Sequence, residues 1–198
     1  LGVLDSHTLS AHSIRLTEQD ISLMAKSGSS VAHCIGSNTK AAKGVAPVSS
    51  MLEQGLAVGL GTDGPASGNT LDLFTQMRFC ANFHKNETGN RSVFPAKDIV
   101  SMATIWGAGA LGLDKITGSL EPGKEADLVV VETDSPNMFP VYDPYSALVY
   151  SARADNVRDV FVAGRCLVKD KQLVSRDFRQ IREDLRQEMN QTAFGDMG

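Results

Sequence analysis

Several features that would assign a protein to a class are missing from this sequence. Its net charge of −4 over 198 residues gives no electrostatic reason to expect nucleic acid or an anionic membrane as a partner. Its three cysteines, Cys34, Cys80 and Cys166, form no CxxC pair, which fits reduced thiols in the cytoplasm better than a disulfide framework. No apolar stretch reaches the ~18 residues of a membrane span. A hydrophobic fraction of 42% and a charged fraction of 21% are ordinary for a soluble globular protein.

The amino-terminal segment LGVLDSHTLSAHS also lacks a basic stretch ahead of an apolar run, so we expect no signal peptide here. The sequence starts without methionine and close to a predicted strand. We therefore expect it to be the middle of a longer chain.

What the sequence does contain, over residues 1–118, is an alternation of strand-like and helix-like segments. Strands are predicted at TLSAH, SVAHC and LAVGLGTD. A helix is predicted in TEQDISLMAKSG, capped by Thr17, ended by Gly28, and facing inward with Ile21, Leu23 and Met24. Further helices are predicted at VSSMLEQG and NTLDLFTQMRFCANF, and IGSNTKAAKG is predicted to be a polar loop. Apolar strands alternating with helices indicate a parallel sheet covered by helices.

A polar residue stands at the carboxyl end of each predicted strand: His12, His33 and Asp63. A (β/α)₈ barrel concentrates its chemistry at these strand ends. An open, doubly wound sheet binds its ligands there as well. Periodicity alone leaves both folds open.

Each of these residues also has a structural explanation when it is taken alone. Asp63, in VGLGTDGPAS, can cap the following helix or anchor a turn. The functional alternative is a carboxylate ligand to a divalent cation, or a general base beside one. Gly61 and Gly64 would let the backbone approach a bound group closely. Three such residues on successive strand ends favour the functional interpretation.

The predicted secondary structure changes at Gly118, where the alternation of strands and helices ends. A short strand is predicted from Ala126 to Glu132, followed by a β-hairpin in VRDVFVAGRCLVKDKQL with Gly164 and Arg165 as its turn. FRQIREDLRQEM is predicted to be a charged, solvated helix. We therefore divide the chain into residues 1–118, a small antiparallel segment at 119–174 and a terminal helix at 175–198.

Four segments in this order resemble the back half of the amidohydrolase superfamily: TLSAHSIRLT, VAHCIGSNTKAAKGVAPV, VGLGTDGPASGNTLDLFTQMR and GSLEPGKEADLVVV. Within it they resemble most the branch of 5-methylthioadenosine/S-adenosylhomocysteine deaminases and related aminohydrolases and chlorohydrolases. The resemblance implies an α/β fold, the C-terminal part of a (β/α)₈ barrel, with its last three strands in residues 1–118. It also implies the C-terminal part of a small β-sandwich at 119–174.

The resemblance implies a role for each residue of the site. Asp63 matches the aspartate that binds the metal and takes up the proton of the attacking water, and His12 matches the histidine that orients that water. The metal implied is one divalent ion, zinc or iron, with zinc favoured. Supporting roles around the pocket are implied for His33, Asn38, Ser67 and Asn69. Lys40 is expected to be solvated, and His84 to be exposed at the end of its helix.

The family's remaining metal ligands, a His-x-His pair and an HxxE segment, have no match here. We therefore expect the isolated chain to be inactive and the missing N-terminal half of the barrel to complete it. For the complete enzyme we expect deamination of a purine nucleoside, namely S-adenosylhomocysteine, 5-methylthioadenosine or adenosine. The alternatives are hydrolysis of another heterocycle (a guanine, pterin or chlorotriazine) and a non-catalytic interaction module. The exposed barrel edge of a free-standing module would make it associate or aggregate. We also expect a homo-oligomer.

Overall fold

The computed structural model describes residues 2–195, the last five by their backbone alone. Residue 1 and residues 196–198, which end the predicted terminal helix, lie outside the described residues. The strands are β1 (Leu9–Ala11), β2 (Ser30–His33), β3 (Ala57–Leu60), β4 (Leu128–Val131), β5 (Val157–Val162), β6 (Arg165–Lys169) and β7 (Gln172–Leu173). The helices are α1 (Glu18–Ser27), α2 (Ile35–Lys40), α3 (Val48–Glu53), α4 (Pro65–Gly68), α5 (Leu73–Thr88), α6 (Ala96–Met102), α7 (Ile105–Ala110), α8 (Pro144–Ser146) and α9 (Phe178–Gly195). A short π-helix at Ala147–Ser151 and a 3₁₀ helix at Ala154–Asn156 precede β5.

Local sequence signals set the bounds of α1 as expected. Thr17 and Asp20 form a reciprocal capping box at its start, and Gly28 ends it in the left-handed conformation with φ 77°. Ile21 and Met24 are buried. The prediction that Leu23 also faces inward was wrong, because its side chain is 57% exposed.

The first sheet has the order β1-β2-β3, and all its strands are parallel. One face, carrying Val31 and Val58, packs against the helices in the main apolar core. On the other face, Leu9 and Ala57 are exposed. Because parallel strands end at the same edge, the residues after β1, β2 and β3 come together there.

Helix α7 lies directly on this second face. A Cβ atom at Gly59 would stand 2.8 Å from the Cα of Gly107. No side chain fits in that space, so a pair of glycines allows the helix and the strand to touch. Ser30 adds a hydrogen bond, donating from Oγ to the carbonyl of Ala110 at 2.6 Å.

The second sheet is antiparallel, with the order β4-β5-β6-β7. The predicted hairpin is present, but its turn is Ala163-Gly164 rather than Gly164-Arg165. Both turn residues have positive φ, 48° and 75°, as a type I′ turn requires. A second turn of the same kind, Asp170-Lys171, leads into β7.

One segment expected to be a loop is a helix. IGSNTK, the first part of the predicted polar loop, forms α2, and Ile35 through Asn38 are buried in it. The Gly36 amide donates to Oε1 of Gln76 on α5 at 2.9 Å. Packing against α5 therefore outweighs the weak helix propensity of these residues. None of the described helices is long and apolar enough to cross a membrane.

Candidate active site

The carboxyl edge of the parallel sheet places His12 directly after β1 and Asp63 three residues after β3. Both have positive φ, 69° and 60°, a region in which residues other than glycine are strained by about 1–3 kcal/mol. The His12 amide donates to the carbonyl of Ala32 at 3.0 Å. This bond to the neighbouring strand holds the bend in place. The unusual backbone turns both side chains towards one another over the edge of the sheet.

The side chains of His12 and Asp63 meet above the strands. The distance from His12 Nε2 to Asp63 Oδ2 is 3.8 Å. Their side chains remain 41% and 26% exposed, respectively. An imidazole nitrogen and a carboxylate oxygen are thus both accessible to a small molecule or an ion at the same point.

Asn38 sets the orientation of the His12 ring. His12 Nδ1 lies 2.8 Å from Asn38 Oδ1. Since an amide oxygen only accepts, Nδ1 carries a proton and donates it to Asn38, which leaves Nε2 facing Asp63. Asn38 is buried on α2, with 1% of its surface exposed, so it is a rigid support.

Asp63 is held in its ionised form by the groups around it. The Gly64 amide donates to its Oδ1 at 2.7 Å. This bond is the largest cause of a pKa below the usual carboxyl value, and the Ser37 hydroxyl is the next. His12 and Ser67 lower the pKa of Asp63 further. A carboxylate that stays charged can bind a cation or accept a proton at neutral pH.

The loop after Asp63 is fastened to α2 by Lys40. Its Nζ donates to the carbonyl of Ser67 at 2.8 Å, and it also donates to Oδ1 of Asn69. Ser67 and Asn69 were predicted to fix this loop, and they accept these bonds through a backbone carbonyl and a side-chain oxygen, respectively. Lys40 itself was expected to be solvated.

The structure does not bring His33 together with His12 and Asp63. His33 follows Ala32 in β2, so its side chain lies on the face of the sheet opposite to that of Ala32. There it is fully buried, with Nε2 3.1 Å from Nε2 of His84 on α5. The prediction that His84 is exposed was wrong, since only 3% of it is exposed.

The residues present suit part of a zinc site. Oxygen from Asp63 and nitrogen from His12 are both ligand types that zinc takes. Zinc sites use at least three protein ligands, however. Within the described residues, the only group of three potential ligands is His33, Cys80 and His84, on the other face of the sheet. Further ligands for an ion at Asp63 would have to come from outside this part of the chain.

Sequence comparison relates the chain to one protein family and to named relatives. Residues 1–167 match the family model described as "Amidohydrolase family". The chain is 42% identical over 186 residues to a 5-methylthioadenosine/S-adenosylhomocysteine deaminase from Syntrophobacter fumaroxidans, which covers 94% of this chain and 42% of that protein. The chain therefore spans less than half the length of this relative.

Solved structures show the same fold. A zinc-bound adenosine deaminase from Xanthomonas campestris superposes with a TM-score of 0.91 at 34% identity, over 96% of this chain and 43% of that one. A variant of atrazine chlorohydrolase from Arthrobacter aurescens, complexed with zinc and atraton, superposes with a TM-score of 0.86 at 28% identity, over 92% of this chain and 41% of that one. These likenesses confirm the predicted fold class, the C-terminal part of a (β/α)₈ barrel.

Proposed function

The chain belongs to the amidohydrolase family, and on that premise we propose that the protein it forms hydrolytically deaminates an adenine-type nucleoside. The substrate class follows the relatives, one named a 5-methylthioadenosine/S-adenosylhomocysteine deaminase and another an adenosine deaminase. In this reaction water adds to the ring carbon that bears the amino group. The C–N bond then breaks, ammonia leaves, and a carbonyl remains.

The observation that carries the proposal is the meeting of His12 and Asp63 at 3.8 Å over the carboxyl edge of the sheet. A bound divalent ion, zinc in the two solved relatives, would supply a water molecule whose pKa is lowered from 15.7 towards ~7. Asp63 would hold that ion as one of several ligands. Its remaining ligands would come from residues outside this chain segment.

The two side chains divide the proton handling between them. Asp63, ionised because its pKa is lowered, accepts the proton of the attacking water. His12 presents Nε2 to the same water, because Asn38 occupies Nδ1. Positioned acid–base groups of this kind contribute about 10²–10⁴-fold to a rate.

The test is a substrate panel assayed with the whole protein, with ammonia release as the measurement. We expect turnover of 5-methylthioadenosine, S-adenosylhomocysteine or adenosine. We expect Asp63→Asn to abolish it while leaving the unfolding midpoint within a few degrees of the wild type. Asp20→Asn, a change of the same kind in the exposed cap of α1, is the matched control and keeps full activity.

Turnover in Asp63→Asn close to that of the wild type would contradict the proposed role of Asp63. A second candidate substrate class is a chlorotriazine, which the structural likeness to atrazine chlorohydrolase favours. Turnover of a chlorotriazine, with no ammonia released from any adenine nucleoside, would replace the proposed substrate. Absence of both, in protein loaded with zinc, would favour the non-catalytic alternative.

A further inference from the structure

A second group of potential ligands lies on the face of the sheet opposite to Asp63. His33 comes from β2, and Cys80 and His84 come from one face of α5, four residues apart. One ligand atom from each lies within 4.8 Å of the other two. All three side chains are buried, with exposures of 0%, 0% and 3%.

The two imidazoles face each other through the atoms that would bind a metal. Their Nε2 atoms are 3.1 Å apart. Two nitrogen ligands held ~2.0 Å from one ion lie about 3.3–3.5 Å apart, so a few tenths of an ångström separate this pair from a ligating one. Burial lowers the pKa of His33 to about 3 and that of His84 to about 4. Both rings are therefore neutral, which is the form that coordinates.

The hydrogen bonding of this pair is incomplete as it stands. His33 Nδ1 is buried and has no hydrogen-bond partner among the described residues. In the contact between the two Nε2 atoms only one ring can donate. The edge of the His84 ring is closed by Phe94, whose centroid is 4.6 Å away. A buried polar pair walled by an aromatic ring and a thiol has the donor chemistry of a soft metal site.

We propose that His33, Cys80 and His84 form a buried binding site for a soft monovalent cation, Cu(I). Thiolate and imidazole ligands suit Cu(I). One thiolate, two neutral imidazoles and Cu(I) sum to zero charge. A divalent ion would leave one uncompensated positive charge in the core, which is costly. Within the described residues, no fourth His, Cys, Asp or Glu joins the group.

Binding at this site involves no change of oxidation state. The S–H bond of Cys80 breaks, its proton passes to solvent, and a Cu–S bond forms while copper remains Cu(I). Burial raises the pKa of the Cys80 thiol to about 12, so release of this proton opposes binding. The bound ion would tie α5 to β2, behind the strand that leads into the candidate active site.

The experiment loads the whole protein anaerobically with Cu(I) from a bicinchoninate buffer, followed by gel filtration and metal analysis. We expect one copper per chain in the wild type, and X-ray absorption showing one sulfur and two imidazole nitrogens around it. Cys80→Ala loses this copper. Cys34→Ala and Cys166→Ala are the matched controls and retain it, the first because the Cys34 thiol lies on the other face, beside Asp63.

Three results would overturn the proposal: no copper in the wild type, copper retained in Cys80→Ala, or copper lost in Cys34→Ala. Should Cys80→Ala fail to fold, Cys80→Ser replaces it. The X-ray absorption spectrum of the wild type also tests the proposed ligands without any variant. A shell with no sulfur, or with fewer than two imidazole nitrogens, rejects the site. None of these results depends on whether the protein is a deaminase.

Discussion

Acid should destabilise the metal-free protein well above the pH at which its carboxylates titrate, because of the buried pair His33 and His84. Burial lowers the pKa of these rings in the folded state to about 3 and about 4. In the unfolded chain a histidine titrates near 6.5. Between pH 8 and pH 5 the unfolded state therefore gains two protons that the folded state does not, and stability falls as the pH falls.

The loss of stability at pH 5 follows from the difference between that pH and the histidine pKa in the unfolded chain. Each ring contributes ~1.4 kcal/mol per pH unit below about 6.5. At pH 5 this is about 2 kcal/mol for each, or about 4 kcal/mol for both. With a urea m-value of about 2 kcal/mol/M, the unfolding midpoint should fall by about 2 M. The loss continues below pH 5 until each folded pKa is reached.

The assay is urea unfolding followed by circular dichroism at pH 8 and at pH 5. The double variant His33→Gln/His84→Gln keeps two facing hydrogen-bonding groups but has nothing to protonate, so its midpoint should move by less than about 0.5 M. His7→Gln, at a side chain that is 90% exposed, is the matched control and should fall as the wild type does. A wild-type midpoint equal at both pH values would refute the reasoning, as would a double variant that falls as far as the wild type.

Two further changes test the packing and the site. Gly59→Ala should cost about 2–3 kcal/mol in urea unfolding, because its Cβ would stand 2.8 Å from the Cα of Gly107. Gly109→Ala is the control, because Gly109 lies in α7 with Gly107 and a Cβ there would have nothing within 4 Å; it should be neutral or stabilising. Equal losses of stability in the two variants would contradict the contact. Asn38→Ala should lower kcat about 10–100-fold with little change in KM, because the His12 ring loses its hydrogen bond. An unchanged kcat would show that the ring is held without Asn38.

The parts of the fold that follow local rules were predictable from the sequence. Helix α1 begins after Thr17, whose side chain caps it, and ends at Gly28, whose backbone adopts the left-handed conformation. The three parallel strands were predicted from short apolar runs. The same runs located His12 and Asp63, since residues that follow neighbouring parallel strands share one edge. His12, His33 and Asp63 were all expected to meet there, but the structure brings together only His12 and Asp63.

What could not be predicted depends on which surfaces meet. His84 looks like the end of an exposed helix until β2 places His33 opposite to it. The spacing of Gln76, Cys80 and His84, four residues apart along α5, was the available signal, since it marks a single face. Lys40 reaches Ser67 across 27 positions of sequence, and no pattern within either segment indicates that bond. The β-sandwich at 119–174, the cytoplasmic location and the homo-oligomer remain predictions.

The left-handed backbone at His12 and Asp63 has a consequence for anyone who evolves this protein in the laboratory. Glycine would relieve the bend at either position, so a library screened for heat resistance alone should drift towards glycine at both. The selected variants would be more stable but catalytically inactive. Screens of this scaffold should therefore reward turnover in every round.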